Sequence, residues 1–339
     1  RGGQPESNSF SGGSRFADNN SGEGAEKGEG IAGDQVYYSA SLAGRYCKGA
    51  PANAGGGGTS VSAGGGGGGN AGNTSNWQNG VGIPDPTFNA AWISESPSIA
   101  MINASGGGRG GYTHSSTNED ALEFGMGPGN TDWDGDWRRN NGGLGGRPLD
   151  YSTGKIFMGG AGGAGDGNQV PVTAGAGGNG AGIIFISSYG DISGSGSILA
   201  NGQDGFNAGT TAPAPFNTVT GTDGAGGAGA GGTIIIKSTG TVSSISINAN
   251  GGNGGDQILK AGAFASVSEA EGPGGGGGGG YIAITSGTPT RNTNGGTNGT
   301  TDSPHLTEFP PNGATSGGIG LPTESIDAFD ITVNNESIC

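Results

Sequence analysis

The chain is poor in most of what ordinary folds are built from. Of 339 residues only two are cysteine, Cys47 and Cys339, which excludes a disulfide-dense secreted scaffold. The two can form one bridge, join subunits, or stay as free thiols. A bridge within the chain would close nearly its whole length, and chain entropy would give it roughly 5–6 kcal/mol. Histidine is almost absent, with only His114 and His305. There is no His-Glu-X-X-His, no Gly-X-Ser-X-Gly and no phosphate loop ending in Gly-Lys-Ser/Thr, so no motif points to an enzyme. Charged residues are 12% and hydrophobic ones 30%. The longest strongly apolar run, Ile183–Ile186, has about four residues, where a membrane span needs some 20. Proline is scarce for a collagen and glycine does not recur strictly at every third residue.

What the chain has instead is glycine, 84 residues of 339, about one in four against a usual share of roughly 7%. In a helix each Gly costs about 1 kcal/mol, so coiled coils and helical bundles are excluded. Disorder has a similar composition, but the Gly islands alternate with compact β-branched clusters that a flexible linker has no reason to carry. With 13 basic and 28 acidic residues the net charge is −15. That balance repels nucleic acid and anionic membranes, so neither is expected as a partner. The chain opens on Arg1 with no leader-type segment, as a processed mature protein would.

Five stretches can be distinguished. Residues 1–34 read as an extended N-terminal arm and 35–75 as a first β/Gly segment, with a candidate strand over 35–46. Residues 76–150 hold all four tryptophans, Trp77, Trp92, Trp133 and Trp137, and read as a Trp/Asp-rich insertion with a short helix near Asp120–Phe124. Residues 151–290 form a Gly/Ile repeat body, and 291–339 a loop followed by a strand over Ser325–Val333. The repeat is internal. Ile184, Ile186, Ser188, Gly190 and Ser193 match Ile234, Ile236, Ser238, Gly240 and Ser243 at an offset of 50. Ile198 and Ala200–Gly202 match Ile247 and Ala249–Gly251 at 49. A partial copy starts at Gly279, offset 48 from the second. Ile at alternate positions marks strands with one buried face, and a unit that cannot bury that face alone must stack on its neighbours.

Several islands have a period of three: Gly159–Ala164 and Gly251–Asp256 are each Gly-Gly-X twice. Extended segments of three residues per turn make no internal hydrogen bonds. Where side chains are missing they can approach one another closely enough to exchange N–H···O=C bonds. The longest pure runs, Gly64–Gly69 and Gly274–Gly280, are the natural candidates for loops.

The succession of a Gly island, Thr233–Lys237, a turn and Ser246–Gly255 resembles Gly-rich extracellular surface and fibre proteins and phage-tail adhesin-type proteins. It covers 155–290 well, 50–75 weakly and 76–150 not at all. The resemblance implies an all-β, Gly-rich repeat body, a β-solenoid or sandwich with polyglycine II-type segments, carrying the Trp/Asp-rich subdomain. It implies a structural subunit of an extracellular filament or surface fibre, partnered by copies of itself. The alternative is a phage tail-fibre or cell-surface adhesin that binds surface glycans. Either would sit outside a cell or on a virion.

Few residues suggest chemistry. Asn130, Asp132, Asp134 and Asp136 place oxygen ligands at alternate positions, like the first half of a calcium loop. The expected twelfth-position Glu is replaced by Asn141, and a solvated acidic turn is the competing reading. Trp133 and Trp137 flank that turn and suit glycan stacking or a small local core. Glu119, Asp120 and Glu123 would offer a glycosidase-type carboxylate pair, though scattered surface acids are the commoner case. Asn19, Asn73, Asn103, Asn298 and Asn335 lie in glycosylation sequons.

Overall fold

The computed structural model describes residues 1–5, 25–31, 52–59, 62–95, 104–112, 142–167, 174–208, 223–258, 270–303, 306–307 and 309–326. Its regular elements are short. The Ile-rich repeats form β1 (Ile183–Ser188), β2 (Ile192–Ser193), β3 (Ser197–Leu199), β4 (Thr233–Ser238), β5 (Val242–Ser243), β6 (Ser246–Asn248), β7 (Tyr281–Ile284) and β8 (Thr290–Asn292), followed by β9 (Leu321–Ser325). One helix, α1 (Asn89–Glu95), follows 3-10 turns at Thr74–Asn76 and Pro86–Phe88.

Equivalent strands of successive copies pair in parallel. The sheets run β1-β4-β7-β9, β2-β5 and β3-β6-β8. Ile184 pairs with Ile234 and Ile234 with Ile282, so the sequence offsets of 50 and 48 are the pairing register. Ile234, Ile236, Val242, Ile245, Ile247, Ile282 and Ile284 fill one core between these sheets. A second cluster joins Trp92, Tyr112, Leu306 and Phe309, with the Trp92 and Phe309 rings edge to face at 4.8 Å.

Most of the body is neither strand nor helix. The run Gly64–Gly69 shows how it is built. The N–H groups of Gly64 and Gly67 donate to Gly111 and Gly108, those of Gly65 and Gly68 to Ala225 and Ala228, and those of Gly66 and Gly69 to Gly56 and Asn53. Its carbonyls accept in the same rhythm: Gly143 and Gly146 donate to Gly64 and Gly67, Gly275 and Gly278 to Gly65 and Gly68, and Gly163 and Gly160 to Gly66 and Gly69. One segment therefore donates in three directions and accepts from three more. Neighbours run parallel (225 to 228) or antiparallel (111 to 108) without altering the rhythm. The segments starting at Gly224 and Gly274 repeat it: Gly224, Gly227 and Ala230 donate to Asp166, Gly163 and Gly160. With every backbone group met by a neighbour, burial carries no desolvation penalty for unpaired amides.

The expectation of an all-β body is overturned. The strand pairs are mostly parallel, helices are few (5% helical, 19% strand), and no solenoid is identified. Every pair of named strands is parallel. The reason is physical. A sheet bonds in one plane and needs side chains to fill its two faces. Glycine offers none, so its backbone bonds outward around its whole circumference. Within the stretch read as a Trp/Asp-rich insertion, residues 104–111 and 142–149 hydrogen-bond into this lattice, and 113–141 lie outside the described residues. Gly64–Gly69 and Gly274–Gly280, expected as loops, are buried throughout. The absence of side chains is what lets neighbours enclose them. Residues 1–5 and 25–31 join the lattice through bonds such as Gly3 to Gly162 and Gly28 to Gly55. The last described strand ends at Ser325, and residues 327–333 lie outside the described residues.

Candidate assembly edge and surface grooves

Two features of the surface have chemical consequences. The first is the end of the stack at copy one. Among the described residues, β1, β2 and β3 each have a partner on one side only. Consequently Ile184, Ile186, Ile192 and Ile198 are only partly covered, whereas Ile234, Ile236, Val242 and Ile247 one layer down are fully buried. Thr233 N–H donates to Gly182 and Thr239 N–H to Ser188. By the alternation of a parallel ladder, the N–H and C=O of Ile183, Phe185 and Ser187 then face away from β4. Phe185 is 54% exposed and Leu199 56%. A groove of about 500 Å³ beside β1 continues this apolar surface with Ile31, Ile156, Met158 and Ile183.

Edges of sheets are usually blunted by charge, proline or bulges. The opposite edge of the same sheet is blunted in this way: β9 carries Pro322 and Glu324, and its pairing with β7 is irregular between Tyr281 and Ala283. β1, reading Ile-Ile-Phe-Ile-Ser-Ser, has none of these devices.

The second feature is a groove of about 280 Å³ lined by Asn73, Thr74, Asp150, Tyr151, Tyr281 and Glu324, among others. Tyr151 and Tyr281 stack with ring centroids 4.0 Å apart and planes 6° from parallel. The Tyr151 hydroxyl bonds Asn70 Oδ1 and Thr233 Oγ1, both at 2.7 Å. Burial pushes its pKa up to about 12. Burial and the Glu324 carboxylate push Tyr281 up as well. Asp150 is held below the usual carboxylate range by hydrogen bonds from Ser152.

A third arrangement is structural. On the outer face one N–H in three has no neighbouring segment to meet, and Asn or Asp side chains take its place. Asn201, Asp204 and Asn207 accept from the N–H groups of Asn250, Asn253 and Asp256 at 2.6–2.9 Å. Those residues in turn accept from the N–H groups of Asn294, Thr297 and Thr300. The period of three and the Asx at each third position are therefore one device.

No protein-family model, curated protein or solved structure matches this chain.

Of the residues singled out from sequence, two sequons are described. Asn73 is exposed at the rim of the tyrosine groove, where its Oδ1 accepts from Ser75 N–H. Asn298 is partly buried and exchanges a hydrogen bond with Ser316. Asn19, Asn103 and Asn335 lie outside the described residues. So do Asn130, Asp132, Asp134, Asp136, Trp133, Trp137, Cys47, Cys339, His114, His305, Glu119, Asp120 and Glu123. Among the described residues no group of three or more His, Cys, Asp or Glu is placed to hold a metal ion, and no helix is long and apolar enough to cross a membrane. The tyrosine groove escaped the sequence reading because Asn73, Tyr151, Tyr281 and Glu324 come from four separate stretches. The open edge was legible in principle, since β1 is the copy whose matching strand upstream is missing.

Proposed function

We propose that the chain is a structural subunit of an extracellular filament or surface fibre, and that copies first meet through the uncovered end of the stack. The observation that supports this reading is the unprotected β1 edge. A second copy is the occupant with the right chemistry. Two β1 strands related by a two-fold axis can pair antiparallel through Ile183, Phe185 and Ser187, the isologous arrangement that most homo-oligomers use. The same contact covers the ribs of Ile184, Ile186 and Ile198. Charge favours this face as well. A chain of net charge −15 repels its own copies over most of its surface, while β1 carries no charge at all. The resemblance to Gly-rich surface and fibre proteins is what supports a location outside the cell or on a virion.

Sedimentation velocity and electron microscopy of the chain test this. Dimers or fibres are expected, and Phe185→Lys, a change at an exposed position, should return the 32.5 kDa monomer. A wild-type protein that stays monomeric at every concentration, or a Phe185→Lys variant that assembles unchanged, would refute the reading.

A further inference from the structure

The groove around Tyr281 is a built site whose chemistry is unlike that of the rest of the surface. It combines aromatic surface, two carboxylates, an amide and the hydroxyls of Thr74 and Ser152 within about 280 Å³. Its walls are fixed in advance. Asp150 Oδ1 holds Ser152 N–H at 2.9 Å and Gly154 N–H closes the turn onto Tyr151. Asn73 is fixed by Ser75 N–H, and the Tyr151 ring is anchored at its hydroxyl by Asn70 and Thr233. Fixed walls lower the ordering cost of binding a small ligand.

The polar inventory specifies that ligand. Asn73 Oδ1 is taken by Ser75 N–H, which leaves its amide N–H groups as donors. Asp150 and Glu324 are acceptors. Thr74 and Ser152 can act either way. A ligand with many hydroxyl donors and an apolar ring face satisfies this set. An anionic ligand does not, because it would face two carboxylates in a chain of net charge −15. We propose that this groove binds a neutral saccharide, a single pyranose unit or the end of a chain, with its C–H face on Tyr281 and its hydroxyls on Asp150, Glu324 and Asn73. The volume is at the small end for ligand sites, which matches a terminal sugar better than an internal stretch of polysaccharide. The proposal does not depend on the assembly reading. The groove lies at β7 and β9, whereas the open edge is β1 on the other side of the sheet.

A glycan array and saturation-transfer NMR with the full chain provide the test, using neutral hexose-terminated oligosaccharides beside sialylated and uronate-containing ones. Neutral glycans should bind and acidic ones should not. Tyr281→Ala should weaken binding about tenfold. Because Tyr281 also supports β7, Asp150→Lys provides a second variant at a fully exposed position, and it too should weaken binding. The double variant Asp150→Asn/Glu324→Gln should narrow the gap between acidic and neutral glycans. Assembly should be unchanged in all three. Failure to bind any neutral glycan, a preference for acidic ones, or unchanged binding by the folded Asp150→Lys and Tyr281→Ala variants would overturn the proposal.

Discussion

Replacing Gly67 by alanine should unfold part of the body, while replacing Gly196 should not. At Gly67 an added Cβ would overlap the carbonyl of Gly276, far inside the 3.0 Å floor that real Cβ contacts respect. Clearing that overlap moves a neighbouring backbone by roughly 1 Å, and dense packing leaves nowhere for it to go. The Gly276 carbonyl accepts from Gly108 at 2.8 Å and its N–H donates to Thr315 at 3.0 Å. Stretched by that much, both bonds fail. Two buried bonds at about 1–3 kcal/mol each, less a gain of about 0.4–1 kcal/mol from stiffening the unfolded chain, leave a net loss of about 1–5.5 kcal/mol. At Gly196 an added Cβ meets nothing within 4 Å, so only the gain remains. Thermal unfolding followed by circular dichroism would separate the two variants. Gly67→Ala should melt roughly 2–8 °C below wild type, and Gly196→Ala at or slightly above it. If the two melted together, the glycine runs would be tethers and the lattice argument would fail.

Two further outcomes follow from buried and edge groups. Asp166 is buried, and its carboxyl is pushed well above the usual aspartate range by burial and by Asp223. The folded state therefore holds this proton more tightly than the unfolded chain. The stability contributed by the group is complete below the ordinary aspartate pKa of about 3.9 and is lost as pH rises through the folded value. Asp166→Asn, which copies the neutral acid, should raise the melting temperature at pH 7 and have little effect at pH 4; equal effects at both would refute this. Asn253→Ala removes the oxygen that accepts from Thr297 N–H and Oγ1 at 3.0 Å. It should cost about 0.5–1.5 kcal/mol, read as a lower denaturation midpoint.

The register of the parallel strands was written in the sequence, because Ile at offsets of 50 and 48 must meet when the copies stack. The lattice segments were legible in their period of three. Their order in space was not. A Gly-Gly-X segment has no side chains to distinguish one neighbour from another, so nothing local indicates that Gly65 bonds Ala225 or that Gly275 bonds Gly65. The same lack of texture made Gly64–Gly69 look like a loop. Side chains are the usual sequence signal of burial, and here burial was achieved by their absence. The helix Asn89–Glu95 went unread because its first residues, Asn-Ala-Ala-Trp, show too few turns to establish a period.

The indifference of the glycine segments to chain direction has an evolutionary consequence. Most domains accept new material only in exposed connections, because an added element must match the polarity and side-chain shape of its neighbours. Here any stretch with the right spacing of small residues can slide in as another rod, pointing up or down. A gene encoding such a body can thicken it one short insertion at a time, and the connections between rods are left free to vary with whatever the surface has to meet.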